Sequence, residues 1–385
     1  MRVAVIGGRL QGVEAVYLSK KAGWEVVLID KDLDAPAVLL CDYFYKLDVL
    51  EKTKLSRVLK NIQFIIPALE NKLVLDALNE YALEAGIPIV YDGNAYSISS
   101  SKIISDKLFD KLSIPVPTVW PYTDFPVVVK PSGASGSEGV HKVENETQFN
   151  QFIKSGEDFH DLVIQEFLEG PSYSLEVIGY EGNYRVLQVT ELEMDEVYDC
   201  KRVLAPAKLD KRKIEEFEEI SVKIARELNI TGVFDVEVIL HKGKMKVLEI
   251  DARLPSQTPT AVYNSTGINL MECLWYVYSN HQRFNSFVVN EKRGTVYEHI
   301  KVDKGEVKVC GEHIMGKAGH LKFYRDFFGA DEAISNYESD KEEWVATLII
   351  NGKNPKEAWR KRCEVINNIK QKVDILSYKH SLPLR

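Results

Sequence analysis

The sequence predicts a two-part fold: an α/β domain built on a parallel sheet, then a larger α+β region. Three observations predict it. Over residues 1–95, short apolar strands alternate with helical stretches, as βαβ units do. Pro115, Pro117, Pro121 and Pro126 then punctuate a connection. Beyond them, apolar strands follow one another through short turns, the mark of antiparallel hairpins.

The elements follow in order. Residues 3–6 form a buried strand, Gly7 and Gly8 its turn, and 11–22 a helix stopped by Gly23. EVVLI (25–29) is the second strand and ends at Asp30. A strand at 63–66, a helix at 72–85 stopped by Gly86, and a strand IPIVY at 87–91 complete the domain. A helix over 102–112 opens the second region. There FPVVVK (125–130) is a strand, SGASGSEG (132–139) a loop, VHKV (140–143) a strand, 144–155 a helix and LVIQEFL (162–168) a strand. A hairpin covers 172–193, a charged amphipathic helix 211–228, and a second hairpin joins VFDVEVIL (233–240) to MKVLEID (245–251). The tail carries the strands TVYEHIKV and VATLIING and a helix from Pro355 to about residue 372. The expected domains are 1–95, 96–290 with a lid over about 113–168, and 291–385.

Composition excludes several classes. The chain of 385 residues is 45% hydrophobic and 28% charged, with a net charge of -8 and no basic run. That balance disfavours nucleic acid as a partner. No apolar run has membrane-spanning length, and the apolar stretch at the N-terminus is too short for a signal peptide. The five cysteines lie far apart, without a CxxC pair. A reduced, cytoplasmic protein acting on small molecules is the expectation, compatible with a homodimer.

Three motifs carry chemistry. In VVVKPSGASGSEGV (127–140), glycine and serine leave backbone N–H groups free to converge on phosphate, and Lys130 adds a compact positive charge. The loop lies between two strands, whereas a Walker loop lies between strand and helix and reads GxxxxGKS, a string this chain lacks. It therefore reads as a flap over a triphosphate; a solvated hairpin tip is the alternative.

The second motif sets Asp235 and Glu237 on one strand, and Glu249, Asp251 and Arg253 along the next segment. Residues two apart share a face, so register decides whether the two pairs meet. A three-residue turn at His241, Lys242 and Gly243 places Asp235 opposite Glu249 and crowds all four carboxylates together. A two-residue turn puts them on opposite faces. Carboxylates without cysteine or histidine at ligand spacing suit a hard cation such as Mg2+. The alternative is two solvated acidic faces, against which the Val-, Ile- and Leu-rich strands speak. Arg253 can offer a planar fork to a phosphate or an oxyanion. The third motif, VIQEFLEG (163–170), can present backbone groups to an adenine edge, with Phe167 and Leu168 on the ring or in the core.

Taken in this order, the pieces resemble the ATP-grasp family. The resemblance implies a Rossmann-like N-terminal domain, a lid-bearing central domain and a C-terminal lobe, with ATP and Mg2+ as cofactors. It implies that Lys102 and Lys130 contact phosphates, that Ser137 closes over them, and that Gln165, Glu166, Phe167 and Leu168 hold adenine. Asp235, Glu249 and Asp251 become metal ligands, and Arg253, Lys130 and Asp235 catalytic groups. Two departures stand out. The metal motif ends Glu249-Ile-Asp251 where the family often has Glu-x-Asn, and Ser172 stands where many members place a ribose-binding glutamate.

A closer resemblance covers nearly the whole chain. The segments at 6–32, YSLEVIG (173–179), VYDC (197–200), EIDARLPSQTPTAVYNSTGINL (249–270) and YEH (297–299) look like the ligases of pyrrolysine biosynthesis. Such an enzyme joins 3-methyl-D-ornithine to the side-chain amine of L-lysine through an acyl-phosphate, and D-ornithine is a candidate substitute. The likeness implies substrate contacts at Leu10, Glu70, Ser174, Leu175, Glu176, Asp235, Arg253, Ser256, Gln257, Thr258, Pro259, Thr260 and Glu298. Ammonium groups on both substrates call for anions, which Glu70, Glu176, Asp235 and Glu298 supply.

Other readings stay open at this point. Gly7, Gly8, Gly12 and Asp30 invite a dinucleotide-binding oxidoreductase, although their spacing is GGxxxG rather than GxGxxG. On that reading Asp30 and Asp48 touch a nucleotide. A D-alanine–D-alanine type ligase and a non-catalytic nucleotide-binding regulator complete the set.

Overall fold

The computed structural model describes residues 1–154, 161–279, 293–372 and 377–380. Its first layer is a four-stranded parallel sheet in the order Tyr43–Lys46, Glu25–Asp30, Arg2–Ile6, Phe64–Pro67. The helix Leu10–Lys21 covers one face and Lys72–Ala85 the other. Gly86 ends the latter at φ 64, the left-handed stop that its position after Ala85 predicts. The expected strand at 87–91 is absent. That segment contributes only an isolated bridge, Ile65 to Ile89, because Pro88 cannot donate to a ladder.

The region expected as the lid holds a three-stranded antiparallel sheet with Val127–Pro131 between His141–Val143 and Leu162–Glu166. Its apolar side packs Val127, Val129, Val143 and Phe149. The helix expected over 144–155 runs Glu146–Lys154, and residue 155 lies outside the described residues.

The remaining strands form one large sheet. The hairpin expected over 172–193 is more complicated. Ser172–Tyr180 pairs first with Asn183–Val186 and then, after a break, with Thr190–Met194, so one return strand has become two. Sequence reading missed the next strand, Cys200–Ala205, which pairs with Gly294–Asp303. The expected third domain therefore shares its sheet with the expected second through the pair Arg202 and Glu298. Trp344–Gly352 and the helix Pro355–Lys372 follow as expected. The helices Thr258–Thr266 and Leu270–Ser279, also unforeseen, pack against Leu10–Lys21 and join the first sheet to the large one. Among the described residues no helix is long and apolar enough to cross a membrane.

The acidic hairpin follows neither of the two expected geometries. Its turn has two residues, Lys242 and Gly243, at φ 48 and 79, and His241 pairs with Lys244. Counted from that turn, Glu237 would face Leu248. A bulge between Glu237 and Val238 inserts one residue, so Glu237 pairs with Glu249 and Asp235 with Asp251. The bulge reverses the consequence of the short turn and returns all four carboxylates to one face.

Candidate active site

Three adjacent strands build the floor of the site. Asp235 pairs with Glu176 on one side and Asp251 on the other; Glu237 likewise lies between Ser174 and Glu249. Alternation turns these residues to one face. On the opposite face Leu175, Val177, Phe234, Val236, Val238, Val247 and Ile250 pack against Phe217, Ile224 and Ala225 of the helix Lys211–Leu228. Leu175, expected at the substrate, accordingly sits in this apolar core.

The acidic face carries unbalanced charge. Lys102 Nζ lies 3.1 Å from Glu249 Oε2, Arg253 bonds Asp251 at 2.8 Å, and Arg253 Nε is 3.2 Å from Glu70. Lys130 is 7% exposed, and burial pulls its pKa down against the attraction of Glu249. These cations do not match the carboxylates. Burial, then the neighbouring acids, pushes Asp235, Glu237 and Asp251 above the usual carboxylate range. Glu249 is the exception: burial raises it, but Lys102 and Lys130 outweigh that and hold it low. Asp235 Oδ1 is buried without a hydrogen-bond partner. Such a face is short of positive charge, as a site that receives a divalent cation must be. Among the described residues no three His, Cys, Asp or Glu side chains form a ready-made metal cage.

Two clefts meet here. The first runs under the lid and is lined by Lys102, Lys130, the glycine loop, Gln165 to Leu168, Glu237 and Glu249. Lys102 and Lys130 thus stand beside the glycine loop, Lys102 Nζ donating to the Ala134 carbonyl at 2.6 Å, and two lysines on one cleft wall suit a polyphosphate. Glu166 is not a free group: Lys246 and the Thr118 N–H hold its carboxylate, and the Glu166 and Phe167 N–H groups donate to the Thr118 and Pro126 carbonyls. Lys142 lies 4.4 Å from the centroid of the Phe167 ring. Ser172 also lines this cleft, with no acidic side chain in its place.

The second cleft contains Asp235, Glu237, Glu249, Asp251, Arg253, Ser174 and Ser256 to Thr258. Glu176 stands behind it, fully buried, with neither carboxylate oxygen hydrogen-bonded. Burial lifts its pKa to about 7, opposed by the Thr258 hydroxyl nearby. Pro259 and Thr260 are buried in the first turn of their helix, and the Thr260 N–H donates to Glu14 at 2.6 Å. Asp199 and Glu312 line the same cleft and were missed by sequence reading. Lone acids in turns carry no periodic signal, though Asp199 falls in the VYDC string.

Four expected contacts lie elsewhere. Glu298 is fully buried, gripped by the guanidinium groups of Arg202 and Arg362, and lines neither cleft. Leu10 opens the first long helix and packs near Gly316. Asp30 spends one oxygen on the Gly8 N–H at 2.6 Å and the other on Asp32 N–H at 2.8 Å. Asp48 is exposed and accepts the Leu50 N–H. In the glycine turn that suggested a dinucleotide, a Cβ on Gly12 would lie 2.1 Å from the Gly7 carbonyl oxygen, so close packing requires glycine there.

Comparison with known proteins decides the family. The ATP-grasp domain model matches residues 99–257, and the PylC-like N-terminal domain model matches 3–90. The chain is 33% identical to the 3-methyl-D-ornithine–L-lysine ligase of Methanosarcina barkeri, over 96% of this chain and 98% of that protein. It is 34% identical to that of Methanosarcina mazei, over 96% of each. The chain belongs to this family of ATP-grasp ligases. Solved structures give the ligase its fold. The biotin carboxylase domain of Hydrogenobacter thermophilus 2-oxoglutarate carboxylase, a dimer in complex with MgADP, superposes with a TM-score of 0.73 at 15% identity, over 95% of this chain and 89% of that one. An L-amino acid ligase from Bacillus licheniformis gives 0.68 at 15% identity, over 100% and 99%.

Proposed function

We propose that the ligase forms an amide between the carboxylate of 3-methyl-D-ornithine, or of D-ornithine, and the side-chain amine of L-lysine, with ATP driving the reaction. The observation that carries this reading is the carboxylate-rich second cleft joined to the lysine-lined first cleft at Glu237 and Glu249. A substrate carboxylate at that junction meets the end of a polyphosphate, while acids around it suit substrates bearing several ammonium groups.

The residues divide the work. Lys102 and Lys130 neutralise phosphate charge, and Arg253, held by Asp251 and Glu70, offers its remaining N–H groups to the transferring group. Glu249 and Asp251 would hold Mg2+, which would supply charge neutralisation for the phosphates. Attack of the ornithine carboxylate on the γ-phosphate gives an acyl-phosphate and ADP. The lysine amine must then be neutral to attack the acyl carbon, and phosphate leaves. Glu176 and Asp235, both raised toward neutrality, are the groups that take its proton. Ser137 Oγ donates to the Tyr198 carbonyl at 2.6 Å, closing the lid over the junction and keeping water from the intermediate.

The test is ADP release with Mg2+, ATP and the two amino acids, with mass spectrometry of the product. Release that needs both amino acids and yields the side-chain amide supports the reading. Release with other amino-acid pairs alone would replace it with a ligase of different specificity.

A further inference from the structure

The helix Thr258–Thr266 starts on the wall of the second cleft, and its first turn is bonded in an unusual way. The Thr258 N–H donates to the Ser256 carbonyl at 2.7 Å, two residues back. Gln257 between them lies at φ 67 and ψ -57, which is a γ-turn of the rare, strained hand. Pro259 has no N–H to place. The Ala261 N–H reaches the Gln257 carbonyl at 3.2 Å, an ordinary helical bond. The Gln257 side chain caps nothing. Of the first-turn donors, only the Thr260 N–H is left without a local acceptor.

That donor is met from far away in the chain. Glu14, on the helix Leu10–Lys21, accepts it at 2.6 Å. Glu14 is buried, and among the described residues no lysine or arginine pairs with it. Burial pushes its pKa up to about 8 against the pull of the Thr260 bond, so near neutral pH it is largely a neutral carboxyl whose carbonyl oxygen accepts. The same face of Leu10–Lys21 grips the partner helix further along. Tyr17 Oη accepts Asn264 Nδ2 at 3.2 Å, and the Leu18 carbonyl accepts Asn269 Nδ2 at 2.8 Å just past the helix end. Positions three and four apart share a helix face, so Glu14 fixes the start of Thr258–Thr266 while Tyr17 and Leu18 fix the rest.

Two costs meet at this contact. A strained turn persists only where its surroundings over-determine it, and a buried carboxyl is unfavourable unless it is bonded. Glu14 lines neither cleft, so it touches no substrate itself. We propose that Glu14 is a positioning residue: through the Thr260 N–H it holds the Gln257 turn in its strained form and so fixes the shape of the second cleft for its amino acids. The assignment rests on the ligation reading above for what that cleft holds. A side chain of the parallel-sheet layer thereby sets one wall of a site built on the large sheet.

The experiment compares two variants of the full chain. Glu14→Met keeps the bulk and removes the acceptor; Glu14→Gln keeps a carbonyl oxygen in its place. Amide hydrogen exchange over 256–262, followed by mass spectrometry, reads the turn. The KM values for D-ornithine, L-lysine and ATP read the cleft. In Glu14→Met, exchange over that segment is expected to quicken by about tenfold or more. The KM of at least one amino acid should rise by about tenfold or more, with that for ATP held within about twofold. Glu14→Gln should restore both readouts. A cap of purely structural weight would lower the melting temperature of Glu14→Met and leave both amino-acid KM values alone. That result would overturn the assignment, as would unchanged exchange. If Glu14→Met does not fold, Glu14→Asp, one methylene short of the Thr260 N–H, decides by the same two readouts. Quickened exchange with no amide made by the wild type would sink the ligation reading and leave the hold of Glu14 on the turn standing.

Discussion

Glu237 faces Glu249 across the hairpin although their two-residue turn alone would pair Glu237 with Leu248. The bulge takes up Leu248 and so keeps the acidic face together. Deleting Leu248 should close the bulge and leave Glu249 still opposite Glu237, because Val238 already pairs with Val247. The deletion and Leu248→Ala are therefore each expected to lower ADP release by only a few-fold. Glu249→Gln, which preserves the backbone, is expected to lower it by about 100-fold or more, the scale of losing a main electrostatic group. Full activity in Glu249→Gln would remove it from the machinery.

Lys130 is more buried than Lys102 and sits near the end of the strand Val127–Pro131. Lys130→Met keeps the length and removes the charge. Nucleotide affinity is expected to fall at least about tenfold, equivalent to about 1.4 kcal/mol, as measured by ADP titration. The same variant should leave Glu249 easier to protonate, since Lys130 helps hold it low. Unchanged ADP affinity would place the phosphates elsewhere.

How much of this was legible in the sequence depends on the range of the interaction concerned. The strand alternation around Asp235 and Glu249, the stop at Gly86 and the lid loop at Ser132 to Gly139 are local patterns, and they read directly. Whether the carboxylates meet depends on a bulge, and neither Val247 nor Leu248 announces one, so counting from the turn could not find it. Glu298 illustrates the opposite failure. Its neighbours suggested a substrate contact, but Arg202 and Arg362, distant in the chain, claim its carboxylate. Glu312 was illegible for the same reason: its cleft is made by turns near 199, 257 and 312 that share no local signal.

Glu298 yields a stability prediction rather than a kinetic one. Burial works against its charge, but Arg202 and Arg362 prevail and hold its pKa below the usual value. A carboxyl with a depressed folded pKa contributes stability that is present above its unfolded value, about 4.3, and lost as pH falls through the folded value. Glu298→Gln should destabilise the ligase by about 3–5 kcal/mol near neutral pH, because two buried guanidinium groups lose their anion. The gap between wild type and variant, followed by denaturant unfolding, should narrow toward pH 3. The KM values for both amino acids should stay within twofold. A large rise in either KM with little loss of stability would restore Glu298 to the substrate site.

Gly136 couples the lid to the far side of the cleft. Its φ is 57, and a Cβ there would sit 3.3 Å from the His313 ring, while the next residue, Ser137, donates to Tyr198. Glycine favours this backbone conformation, and a side chain would also press on the imidazole. Gly136→Ala should therefore weaken the closed lid by about 1 kcal/mol with little effect on the core that carries global stability. KM for ATP should rise several-fold, and more ADP should be released without amide product as water reaches the acyl-phosphate. Ser137→Ala removes the latch without the strain and should show the same uncoupling at smaller size. Tight coupling of ADP release to amide formation in both variants would mean that the contacts to Tyr198 and His313 do not seal the site.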